Sequence, residues 1–262
     1  MRTGMAMLVL MLAASVAAQP DSQNDTPRVA IVIDDLGDRW YDGQRSIQLN
    51  GDITIGIIPY TPYARKLAVL ARKANKEILL HLPMEAMSDR YLGRGGLHSA
   101  MSQNEFLATL QKSLRFIPDI RGVSNHMGSR LTQNRERMSW LMAGLKQNGN
   151  LYFLDSRTID TSLALKVAAQ TGLEHATRDV FLDHNPKPEI MQKQWRYFLQ
   201  LAKQKGSAVC IAHPYPDSLA FLEEKLATLD EAGVTLVSVS ELIHWRNNRG
   251  EPSWQTSMSS SR

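Results

Sequence analysis

Eight short apolar runs recur along this chain, separated by segments with helical periodicity, and this alternation constrains the fold more than any other feature. The runs are VAIVID (29–34), DITIGIIP (52–59), EILLHLP (77–83), RGVSNHM (121–127), LYFLDS (151–156), DVFLDH (179–184), SAVCIAHP (207–214) and TLVSVS (235–240). Most are continuously apolar, as strands covered on both faces should be. Between them, TPYARKLAVLARKANKE predicts a helix opened by Thr61 and Pro62. Ser102 and Glu105 form a capping box ahead of Phe106, Leu107, Leu110 and Leu114. Apolar stripes at Met138–Leu145, Met191–Ala202 and Leu222–Leu229 predict three more helices, each with a glycine beyond its end. Repeated strand–helix alternation implies an α/β fold with a parallel sheet. The first strand lacks the glycine-rich turn of a dinucleotide site, which favours a (β/α)7–8 barrel over an open doubly wound sheet. A chain of 262 residues suffices for one such domain.

The ends differ from this body. Residues 1–18 carry a single charge, Arg2, then an apolar run and small residues, the layout of a cleaved signal peptide. Residues 19–27 read as a polar linker, 28–248 as the folded domain, and 249–262 as a disordered tail. The expectation is an exported protein, periplasmic in a Gram-negative source, with no membrane span after cleavage. The net charge of +4 falls to +3 without Arg2. Its basic residues are scattered, with no basic arm and no interleaved aromatics, so nucleic acid is not an expected partner. The single cysteine, Cys210, lies in an apolar run and reads as a core residue.

Chemistry gathers at the carboxyl ends of the predicted strands. These carry Asp34 and Asp35; His81, with Glu85 beyond; Asn125 and His126, then Arg130; Asp155 and Arg157; Asp183 and His184; and His213. Parallel strands share a direction, so these ends meet on one face, where such folds place their sites. Asp35, His81 and His126 have the donor types of an open divalent-cation site, zinc above all. Asp34 would then serve as a base and His213 as the acid that protonates a leaving group. Asn125, Asp155, Arg157 and Asp183 are expected around the substrate. His98, His175 and His244 are expected at the surface.

VAIVIDDLGD, ILLHLPMEAM, GVSNHMGSRLT, YFLDSRT and IAHPYP, in this order, resemble the divergent polysaccharide deacetylase family, a branch of the NodB-like carbohydrate esterases. The resemblance spans residues 28–246. It implies a distorted barrel and metal-dependent removal of acyl groups from an N-acetylated envelope polysaccharide, possibly peptidoglycan. It assigns Asp34 as base, Asp35 as metal ligand and His213 as the late histidine. Where the main branch has a His-x3-His pair, this chain has His81 and Glu85, so either Glu85 or His126 completes the ligand set. Arg130 is expected to hold the base in place of an absent arginine motif. The missing histidine leaves a second reading, a catalytically silent carbohydrate-binding or regulatory protein on the same fold.

Overall fold

The computed structural model describes residues 26–249; the expected signal segment, most of the linker and nearly all of the tail lie outside them. The order is β1 (Arg28–Leu36), α1 (Trp40–Gln48), β2 (Thr54–Ile57), α2 (Ala64–Lys73), β3 (Glu77–Met84), α3 (Gln103–Phe116) and β4 (Gly122–Met127). A short 3-10 turn (Leu131–Gln133) leads into α4 (Arg135–Lys146), β5 (Tyr152–Asp155), α5 (Ala164–Thr171), β6 (His175–Thr177) and β7 (Val180–Phe181). The chain closes with α6 (Pro188–Lys205), β8 (Ser207–Ala212), α7 (Pro216–Leu226), β9 (Thr235–Leu236) and α8 (Val239–Asn248). Among the described residues, no helix is long and apolar enough to cross a membrane.

The strands form one parallel sheet in the order β6-β5-β4-β3-β2-β1-β8-β7, with β9 beside β1. No ladder joins β6 to β7, and the sheet forms a half-barrel with helices around it. Strand alternation sorts the side chains. Ala30, Val32, Leu79, Leu154, Val209 and Ile211 pack inside against Val239, Leu242 and Ile243 of α8. Val29, Ile31, Ile33, Leu80 and Leu82 belong to the larger core under the surrounding helices. Both faces are therefore covered, which is why the runs are continuously apolar.

A polar knot lies at the amino-terminal end of the half-barrel. Glu77 Oε1, at the start of β3, accepts from the Tyr152 hydroxyl at 2.6 Å, from Thr54 Oγ1 at 3.2 Å and from the Ser240 amide at 3.2 Å. The last bond ties the knot to the first turn of α8, whose unpaired amide donors need such acceptors. Ser238 caps this helix by accepting from the Glu241 amide. That cap shortens the expected strand at 235–240 to Thr235–Leu236.

Two other boundaries differ from expectation. Thr61 donates to the Ile58 carbonyl instead of capping, and α2 starts at Ala64. Strand β6 spans only His-Ala-Thr and has no apolar run to betray it. The capping box of Ser102 and Glu105 forms as expected, and Gly206, at φ 77°, ends α6 in the left-handed conformation that glycine tolerates. Cys210 is a free, buried thiol whose pKa burial pushes up, as a core residue requires.

Candidate metal centre

The inward rows of β1, β3, β4 and β8 change from apolar to ionisable at their carboxyl ends. Residues 30 and 32 lead to Asp34, Leu79 leads to His81, Ser124 leads to His126, and residues 209 and 211 lead to His213. Neighbouring strand residues ordinarily face opposite ways, yet both carboxylates of β1 face His81. Asp34 Oδ1 stands 3.3 Å from His81 Nδ1, and Asp35 Oδ1 stands 3.0 Å from His81 Nε2. The reason is local. The β1–β2 register slips between Ile33 and Leu36, and Asp35 has φ 63°. A bulge of this kind re-aims one side chain at a strand end. It spares the chain the choice between the two aspartates.

Asp35 is the hub. Its Oδ1 also lies 2.7 Å from His126 Nδ1, and its Oδ2 lies 3.7 Å from His213 Nε2. One ligand atom from each of Asp35, His81 and His126 falls within 4.8 Å of the others. Burial raises the Asp35 pKa, but hydrogen bonds and charge from His126 and His81 outweigh it and hold the carboxyl well below its usual range. His81 is itself buried, which lowers its pKa, yet Asp34 and Asp35 drive the net shift upward.

The donor set fits a divalent cation. His81 Nδ1 is 2.7 Å from Ser124 Oγ, which donates onward to Asp34 Oδ1 at 3.4 Å. This relay places the His81 proton on Nδ1 and leaves Nε2 free to ligate, the usual way an outer hydrogen bond fixes a ligand histidine. Asp34 is 1% exposed, and its Oδ2 is buried without a hydrogen-bond partner, a costly state that a nearby cation would relieve. Burial raises the Asp34 pKa, opposed by His81. Gly56 on β2 makes room for it: a Cβ there would lie 1.9 Å from Asp34 Oδ1.

His213 is oriented from behind. Its Nδ1 is 3.0 Å from Asp183 Oδ1, while Asp183 Oδ2 accepts from the His213 amide and the Ser218 hydroxyl, each at 2.7 Å. The ring neighbours those of Phe181 and Tyr215, with centroids at 5.1 and 5.6 Å. Burial lowers the His213 pKa, but Asp183 and Asp35 reverse the shift.

The geometry gives several of the expected site residues other partners. Glu85 is not in the ligand cluster. Its carboxylate accepts from the Ser99 amide at 2.6 Å and is 3.4 Å from Arg130 Nε. Arg130 therefore pairs with Glu85 and donates to the Ala86 carbonyl; it does not hold Asp34. Asp183 is buried against His213. Asn125 is buried, spending its side chain on the Met127 carbonyl and the Ser156 amide. Asp155 is buried too, bound by the Arg157 amide and the Ser162 hydroxyl. Arg157 turns to Asp160, at 3.3 Å. His175 is buried, not superficial, with Nδ1 2.7 Å from the Leu173 carbonyl. His98 and His244 are at the surface as expected. Sequence reading missed Ser124, Ser218 and Gly56. Ser124 was findable, because it stands two residues before His126 on the same face.

Comparison with known proteins agrees with the architecture. The model of the divergent polysaccharide deacetylase family matches residues 31–243. An uncharacterized protein of Haemophilus influenzae is 35% identical over 225 residues, covering 86% of this chain and 79% of its own. The crystal structure of an uncharacterized protein from Agrobacterium tumefaciens C58 superposes with a TM-score of 0.80 at 25% identity, over 85% of this chain and 92% of that one. The catalytic domain of a peptidoglycan N-acetylglucosamine deacetylase from Eubacterium rectale shares the fold, with a TM-score of 0.53 at 16% identity, over 85% and 93% of the two chains.

Proposed function

The chain belongs to the divergent polysaccharide deacetylase family, and from that premise we propose that it is an exported, zinc-dependent deacetylase of an N-acetylated envelope polysaccharide such as peptidoglycan. The observation that carries this reading is the convergence of Asp35, His81 and His126 beside a buried, half-satisfied Asp34. Those three side chains would hold the ion. Bound there, zinc would supply Lewis acidity, polarising an amide carbonyl and acidifying water.

The chain's own residues divide the proton work. Asp34, sealed from bulk solvent, accepts the proton of the attacking water at a carboxylate oxygen. Its raised pKa makes it a stronger base than an exposed aspartate. His213 holds its Nδ1 proton against Asp183 and presents Nε2 to the site. It gives the Nε2 proton to the amine as the C–N bond breaks. Water and amide are consumed, acetate and a free amino sugar are released, and Asp183 keeps the ring turned throughout.

The test is acetate release from N-acetylglucosamine oligomers by metal-free and zinc-loaded protein. Zinc should confer activity, and Asp34→Asn should lower it by on the order of 10² or more while metal stoichiometry stays at one. Zinc-loaded protein that releases no acetate from these oligomers or from peptidoglycan refutes the enzyme reading. N-terminal sequencing of exported protein checks the cleavage expected near residue 18.

A further inference from the structure

A second groove opens beside the cluster and shares a wall with it. This cavity of about 380 Å³ is lined by Asp38, Tyr60, Tyr91, Arg94 and His126 among others. His126 is thus common to the groove and the candidate metal centre. The far wall is supplied by the loop that leaves β3. Its ends are clamped, because Glu85 N donates to the Leu97 carbonyl and Leu97 N to the Pro83 carbonyl, both at 2.9 Å. The loop is an excursion on a closed base.

Two side chains on this loop line the groove. Tyr91 is 89% exposed. Arg94 lies over the Tyr60 ring, 4.5 Å from its centroid, and among the described residues no carboxylate lies within ion-pair distance of it. Its platform is rigid. The Tyr60 ring sits 4.3 Å from that of Phe116, and a Cβ on Gly95 would come within 2.6 Å of it. The guanidinium is therefore held in place by an aromatic face while its donors stay free. An exposed aromatic, a free fork of donors and a carboxylate, Asp38, form the equipment for one pyranose unit. Rings stack on the sugar's C–H face, carboxylates accept from its hydroxyls, and guanidinium groups pair with its anionic substituents.

We propose that this groove is a subsite for the sugar next to the one being deacetylated, and that Arg94 selects a neighbour bearing a carboxylate. The inference rests on the deacetylase reading for its geometry, since it assigns the wall opposite His126 to the adjoining unit of one glycan strand. It narrows the substrate from N-acetylated polysaccharides in general to those in which an acidic sugar alternates with, or flanks, the acylated one.

Calorimetric titration of the zinc-loaded full chain tests it with two probes, N,N′-diacetylchitobiose and the disaccharide of N-acetylglucosamine linked to N-acetylmuramic acid with its lactyl carboxylate free. The acidic probe should bind about tenfold more tightly, the scale of one charge-assisted contact. Arg94→Gln should erase that ratio, and Tyr91→Ala should weaken both probes together. Raising the salt should shrink the ratio in the wild type. Equal affinities in the wild type, a preference that survives Arg94→Gln, or no binding of either probe overturns the subsite. Hydrolysis of a small aryl acetate by wild-type protein reads the metal centre alone. Its presence beside a failed probe test refutes the subsite and spares the deacetylase reading; its absence counts against the reading.

Discussion

Replacing Gly56 by alanine adds one methyl group at the most crowded point of the candidate centre. The new Cβ would lie 1.9 Å from Asp34 Oδ1, 3.0 Å from its Cγ and 3.2 Å from its Cα. Two of these atoms belong to a short, fully buried side chain, so nothing flexible can swing aside. Gly56 is not among the glycines at positive φ, so alanine meets no backbone penalty and the clash is the whole perturbation. Overpacking of this kind costs about 1–3 kcal/mol. Loss of glycine's freedom in the unfolded chain returns about 0.4–1 kcal/mol. The net destabilisation is about 1–2 kcal/mol, a fall in melting temperature of roughly 2–8 °C for a domain of this size. Asp34 is the group that yields, and a displacement near 1 Å at a reacting group costs about 10² in rate. The assays are a thermal melt, metal analysis and acetate release on the same preparation. A Gly56→Ala protein that melts with the wild type and retains its activity would show that Asp34 does not stand against β2, and the reasoning would fail.

Other perturbations separate the ligand set from its supports. Ser124→Ala removes the nearer of the two groups facing His81 Nδ1, and zinc affinity in a competition titration should fall about 10–100-fold, the usual effect of losing such a bond. Glu85→Ala should leave zinc stoichiometry intact and speed amide exchange across residues 86–98, because its carboxylate ties Ser99 and Arg130; loss of zinc would restore Glu85 as a ligand. His175 is buried, and burial lowers its pKa despite the Leu173 carbonyl and Glu174. The unfolded chain therefore takes up a proton near pH 6.5 that the folded chain refuses, and stability should drop as pH falls from about 7 to 5. His175→Gln should flatten that part of the curve measured by denaturant titration.

The fold was legible because each strand covered on both faces announces itself as an apolar run. His175–Thr177 escaped because three residues with a histidine and a threonine carry no such run, and β6 is held by its pairing with β5. The convergence of Asp35, His81 and His126 was legible from position alone, at the ends of strands that share a direction. The supports were not. Whether Asp183 touches a substrate or His213 depends on how β7 abuts β8, a tertiary matter that residue types do not encode. Glu85 misled for a related reason. Its spacing from His81 mimics a ligand, but β3 ends at Met84, and the chain beyond turns the carboxylate to Ser99.

The knot of Glu77, Tyr152, Thr54 and Ser240 has a consequence for how such a protein can change. It sits at the amino ends of β2, β3 and β5, whereas every group assigned to chemistry sits at or beyond the opposite ends. This tie between strands and α8 is thus remote from the candidate site at the other end of the half-barrel. Loops at that end can be lengthened, recharged or exchanged without loosening it, so new specificities are accessible to this chain through its rim alone. A library confined to residues 86–91, which are exposed or half-buried, should therefore keep wild-type melting behaviour across most of its members, while one spread over residues 54, 77 and 152 should not.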